Sequence, residues 1–186
     1  MKQLRRLTAR LGREDGYTMF ELLTVLAIFG TVTAALTQLF VSATTSELDS
    51  NRRFQAQQEA RLALDQMRNQ VHCASSASVT SANSVVTLTL PSQCNGTPTT
   101  SWCALAVTGY TNRFRLYKQS GTSCTTSGTR YADYLTSSAL FSYNAPTTDS
   151  LAKLQVTFAV NTFTAKSFLS YTLQDALTLR NSTRAA

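Results

Sequence analysis

Residues 13 to 43 read REDGYTMFELLTVLAIFGTVTAALTQLFVSA, and from Leu22 to Ala43 no residue carries a formal charge. A helix rises about 1.5 Å per residue, so about twenty apolar residues cross a hydrocarbon core of about 30 Å. The segment therefore predicts a membrane-spanning helix or an export signal. Glu21 stands at its head, where insertion scales penalise a carboxylate by up to about 3 kcal/mol at mid-bilayer and by less near the interface. A residue kept against that penalty calls for a role.

The flanks orient the segment. Lys2, Arg5, Arg6, Arg10 and Arg13 precede it, and the next basic residue is Arg52. An excess of cations on one side of a span marks the cytoplasmic side, which places residues 1–16 inside and the remainder outside. Those five cations against Glu14 and Asp15 supply +3 of the net charge of +7, leaving +4 for everything after Gly16. The basicity of the whole chain thus overstates its attraction for nucleic acid. Cys73, Cys94, Cys103 and Cys124 all follow the apolar run, with 20, 8 and 20 residues between them and no CxxC pair. That pattern favours two disulfides in an oxidised, extracytoplasmic domain, in any of three connectivities, over free buried thiols or a metal site.

Three readings of the apolar run compete. Val41-Ser42-Ala43 has the small residues of a secretory cleavage site, but the usual apolar region of such signals is about 7 to 15 residues and carries no glutamate at its head. An uncleaved signal anchor with an incidental Glu21 is the second. The third rests on Gly16, Tyr17, Thr18, Met19, Phe20 and Glu21 following a short basic leader. This order resembles the class III signal of type IV prepilins and pseudopilins, written G-F-T-L-x-E, with Tyr17 for the commoner Phe and Met19-Phe20 for the usual aliphatic pair. The resemblance implies that a prepilin peptidase cuts between Gly16 and Tyr17 and methylates the new amino terminus of Tyr17. It also implies that Glu21, the fifth mature residue, meets the amino terminus of a neighbouring subunit during assembly. An α-amine of pKa near 7.7 to 8.0 paired with a carboxylate in low dielectric relieves two buried charges at once.

Beyond the span, residues 47–71 are rich in helix formers, and Ala56, Ala60, Ala63, Leu64, Met67 and Val71 recur at steps of three and four. One helix is expected from Tyr17 to about Val71, its second half needing a sheet to cover that apolar face. After Cys73 the composition shifts to Ser, Thr, Val and Asn. Val86–Leu90, Ala104–Val107, Arg113–Lys118, Leu154–Val160 and Tyr171–Leu179 read as strands, with turn-rich loops at 92–102, 119–134 and 142–150. The expected organisation is a leader over 1–16, a transmembrane or filament-core helix over 17–45, its amphipathic continuation over 46–73, and a disulfide-bonded β-rich domain over 74–186. The fold class is α+β, a long helix packed on a twisted antiparallel β-sheet, which is also what the pilin resemblance implies. The resemblance proper covers about residues 1–45. Arg61–Asn69 and Leu177–Asn181 look similar to large minor pseudopilins of the J type and to the minor pilins called W.

Little in the chain points to catalysis. His72 beside Cys73 has the residue types of a nucleophilic pair, but neighbours on a helix point to different sides and Cys73 is expected to be oxidised. No phosphate loop, metal-ligand spacing or Gly-x-Ser-x-Gly elbow occurs, so no enzyme and no cofactor is expected. Arg113, Arg115, Lys118 and Arg130, interleaved with Tyr110, Tyr117 and Tyr131, have the composition of a surface for DNA, in which cations neutralise phosphates and rings stack on bases. A solvated sheet face is the plainer reading. Asn95-Gly96-Thr97 and Asn181-Ser182-Thr183 match glycosylation acceptors, a pattern common by chance in a chain rich in Ser and Thr. The sequence as a whole reads as a minor pilin, a structural subunit whose partners would be prepilin peptidase, other pilin or pseudopilin subunits, an inner-membrane assembly platform and, before assembly, membrane lipid. Its competitors are a type II secretion pseudopilin, a DNA-binding tip pilin of a competence pilus, and an uncleaved membrane-anchored surface domain.

Overall fold

The structure is a computed structural model that describes residues 17–80, 82–94, 97–163 and 170–183. Residues 1–16, expected as a leader and including Gly16, and Asn95-Gly96 of the first glycosylation match lie outside the described residues. The chain divides into two compact units, one ending at Leu48 and the other beginning at Asp49, and one helix, α1 (Met19–Cys73), contributes to both.

Helix α1 starts where local chemistry allows. Thr18 is its N-cap: the hydroxyl accepts the Glu21 N–H at 3.3 Å, and the Thr18 carbonyl accepts the Glu21 and Leu22 N–H groups. No proline interrupts the helix, and its last turn closes as the Ala74 N–H donates to the Gln70 carbonyl at 2.9 Å. In the first unit every large apolar side chain from Tyr17 to Val41 is exposed, at 51 to 91%. Its threonine hydroxyls are satisfied within the helix itself. Thr24, Thr31, Thr33, Thr37, Thr44 and Thr45 each donate their hydroxyl to a carbonyl three or four residues back. An apolar helix whose threonine hydroxyls return to its own backbone suits a hydrocarbon environment. By length and composition α1 can cross a membrane once.

The second unit is α+β. Its strands are β1 (Ser76–Thr80), β2 (Val85–Thr89), β3 (Thr99–Ala106), β4 (Phe114–Ser120), β5 (Thr129–Leu135), β6 (Phe141–Asn144), β7 (Lys153–Val160) and β8 (Tyr171–Thr178). All pairings are antiparallel, in the order β1-β2-β3-β4-β5-β7-β6, with β8 along the other edge of β7. The link between β5 and β7 is a single pair, Leu135 with Val160. Val86, Leu88, Trp102, Ala104, Leu116 and Ala132 form a buried face across β2 to β5. They join Ala56, Ala60, Ala63, Leu64, Met67 and Val71 of α1 in one core, so the helical face expected from spacing is the face that is buried. Gln70 is buried with them, and its Oε1 accepts the Trp102 indole N–H at 2.8 Å. That bond satisfies two polar groups that would each be expensive to leave unpaired in the core.

Polar contacts tie α1 to β8. Arg68 donates to Asp175 at 2.8 Å, Arg61 to the Tyr171 hydroxyl at 3.2 Å, and His72 Nδ1 to the Thr178 carbonyl at 2.9 Å. The disulfides are Cys73–Cys94 and Cys103–Cys124, with Cα separations of 6.1 and 6.2 Å. The first fixes the end of α1 to the β2–β3 connection, and the second fixes the β4–β5 connection to β3.

Several strand expectations need correction. Strands β1 and β6 were not expected, because SASVT and FSYN are short and largely small or polar. Strand β5 lies inside a stretch that composition marks as loop. Two register shifts against β4 break its alternation, so the two-residue period is hidden in the sequence. Strand β3 begins at Thr99 rather than Ala104 and takes in the end of another expected loop, since Thr100, Ser101 and Trp102 are all buried. Cys103, expected beside a loop, is fully buried within β3.

Candidate functional site

Two groups of residues carry the functional expectations. The first is the start of α1. Tyr17 is exposed and precedes the cap, and Glu21 occupies the third helical position. Thr18-x-x-Glu21 is thus a capping-box sequence, of which the Thr18 half is formed, and it gives Glu21 a local place near the positive end of the helix dipole. The T-x-x-E spacing was legible in the sequence and offers an explanation of Glu21 that needs no partner.

The second group is the basic and aromatic set on β4 and β5. Alternation along the strands divides it. Lys118 pairs across the sheet with Trp102, on the core face, and Tyr131 stacks on Trp102 with ring centroids 4.8 Å apart. Tyr117 pairs with Arg130, and Arg115 lies two residues from Tyr117, on the opposite face. The four cations therefore do not form one surface. Arg113 donates to both carboxylate oxygens of Asp133, at 3.0 and 2.9 Å, and Arg115 Nε donates to the same group at 2.9 Å. Asp133 also accepts the backbone N–H of Tyr134 at 2.6 Å. Burial pushes the Asp133 carboxyl up, but the hydrogen bonds from Arg113, Tyr134 N–H and Arg115 outweigh it and hold the group below the usual carboxylate range. Two guanidinium groups on one carboxylate leave a single net positive charge, with both arginines held by an internal contact.

Arg113 also lies over the rings of Tyr134, at 3.9 Å to the centroid, and Tyr110, at 4.8 Å. Tyr134 takes a left-handed backbone (φ 61°), uncommon for a bulky residue, at the second irregularity of β5. At this bulge Asp133 meets Arg115 of β4 and Arg113 just before it, and the strained backbone is held by these contacts. Asp133 and Tyr134 were missed in the sequence because they fall in the misread loop.

Cys73 is half of a disulfide and His72 turns to the Thr178 carbonyl, so these two neighbours do not make a thiol–imidazole pair. Among the described residues no cluster of three His, Cys, Asp or Glu is arranged to hold a metal ion. Asn181 of the second glycosylation match donates its amide to the Cys73 carbonyl at 2.8 Å. Comparison with protein-family models, curated proteins and solved structures returns no match for this chain.

Proposed function

We propose that this chain is a minor pilin, a non-catalytic structural subunit of a type IV pilus-like filament. The observation that carries the proposal is the order Gly16-Tyr17-Thr18-Met19-Phe20-Glu21 between a basic leader and an uncharged span. The exposed apolar helix supports it, since a side-chain surface of that kind needs lipid before assembly and other helices after it. A prepilin peptidase removes residues 1–16 at the cytoplasmic membrane and methylates Tyr17. Subunits then leave the membrane through an assembly platform, with Glu21 meeting the amino terminus of a neighbour. The pilin-like arrangement of helix and sheet belongs to the same proposal. Mass spectrometry of the membrane-extracted protein tests it: the expected product begins at a methylated Tyr17, and an uncleaved chain or any other terminus overturns it. Deleting the gene and scoring secretion against piliation separates a pilus subunit from a type II secretion pseudopilin.

The Thr18 cap favours a second reading, an uncleaved membrane-anchored domain in which Glu21 serves only the helix start. Glu21→Gln distinguishes the two, because glutamine also completes a capping box but carries no charge for an amine. Filament subunits lose assembly in that variant, whereas a simple anchor behaves as before.

A further inference from the structure

A cleft of about 520 Å³ opens at the mouth of the β4–β5 hairpin. Lys118 and Tyr131 line it with Gln119, Ser120, Ser127 and Thr129. The Lys118 ammonium lies 5.7 Å from the Trp102 ring centroid and 5.9 Å from that of Tyr131. It makes no ion pair with a carboxylate among the described residues, and Asp133, on the adjacent strand, is taken by Arg113 and Arg115. Burial lowers the pKa of Lys118, as expected for a cation partly removed from water without a counter-charge.

The walls are polar and held in place. Gln119, on the opposite face of β4 from Lys118, accepts the N–H and the hydroxyl of Thr125 at its Oε1 and so fixes the hairpin loop. The Cys103–Cys124 disulfide pins the hairpin loop to β3. At Gly128 the loop backbone lies so close to β4 that an added Cβ would sit 2.8 Å from the Lys118 carbonyl oxygen. A cleft shaped before binding loses less on ordering when a ligand arrives.

We propose that this cleft is a binding site for a carboxylated sugar, with Lys118 holding the carboxylate. The cation calls for an anionic group, the Ser120 and Thr129 hydroxyls on the same face for hydroxyls, and the Tyr131 ring for an apolar C–H face. A sugar acid offers all three, a neutral sugar lacks the charge, and inorganic phosphate has no face for the ring. The proposal rests on the cleft and not on membership of a filament.

Saturation-transfer difference NMR on the full chain in detergent micelles tests it, with glucuronate as the probe. The expected result is saturation transfer to the sugar ring protons, with affinity weakened about tenfold or more in Lys118→Met and retained in Lys118→Arg. Fluorescence of Trp102, the single tryptophan, checks that each variant is folded. Glucose, acetate and phosphate should each fail to displace glucuronate at equal concentration. No transfer from the folded parent, undiminished binding in folded Lys118→Met, or displacement by acetate or phosphate overturns the proposal. If Lys118→Met does not fold, Thr129→Val takes its place, with weakened glucuronate binding expected and unchanged binding overturning the site.

Discussion

Leu26 and Leu64 belong to one helix, yet the first is 60% exposed and the second 4%. Both stand in unbroken α-helical backbone. What separates them is the surface that each side chain meets. Leu64 lies on a stripe whose small residues, Ala56, Ala60 and Ala63, let a β-sheet approach, and the sheet supplies Trp102, Leu116 and Leu154 to the same core. Leu26 lies among apolar residues on every side of the helix, and a helix apolar all round is suited to lipid or to other helices rather than to one sheet. Burial thus follows from a complementary partner and not from hydrophobicity alone.

The largest effect expected to test this comparison comes from Leu64→Ala. Truncation in a packed core should cost about 2 to 5 kcal/mol of the second unit's stability, read by urea unfolding followed through Trp102 fluorescence. A loss below about 1 kcal/mol would mean that the helix face and sheet are not packed as one core.

Asp133→Asn comes next. Breaking a largely buried charge cluster costs about 3 kcal/mol or more, and the Asp133 and Arg113 side chains are only 8 and 15% exposed. The folded carboxyl sits below its unfolded value, so its contribution is present above an ordinary aspartate pKa of about 3.9 and is lost as pH falls through the lower folded value. The parent should therefore weaken on acidification below about pH 4 by more than Asp133→Asn does. Equal pH dependence in the two proteins would remove Asp133 as the cause.

Arg68→Ala should be mild. Its ion pair with Asp175 is 42 and 29% exposed, and such pairs contribute about 1 kcal/mol or less and are screened by salt. Raising the ionic strength should narrow the difference between Arg68→Ala and the parent. Smallest of all is Leu26→Ala, which should leave the second unit within about 0.5 kcal/mol of the parent. A clear loss there would show that the apolar half of α1 supports the sheet domain and would break the comparison with Leu64.

How much of this was readable in advance varies with the interaction range. The helix and its buried stripe were legible because a period of 3.6 is local, and Gln70 alone was added to the expected face. The strands whose alternation is intact, β2, β4, β7 and β8, were legible for the same reason. Strand β5 was not, because its irregular pairing with β4 has no counterpart in its own periodicity. The basic and aromatic residues that lie close in sequence are divided by the sheet. Neighbours in sequence such as Tyr117 and Lys118 leave the sheet on opposite faces, and a carboxylate from the adjacent strand claims Arg113 and Arg115.

The sequence by itself determined that there is one long helix, apolar in its first half with Glu21 near its head, and that its second half carries one buried stripe. Each of these depends on residues within a turn or two of one another. Tertiary structure alone decided the pairing of Cys73 with Cys94 and of Cys103 with Cys124. It also joined Asp133 to two arginines and, among the described residues, left Lys118 without an acid beside its cleft. Those outcomes depend on which strands become neighbours and in what register, and side chains about twenty residues apart meet only after the sheet has formed.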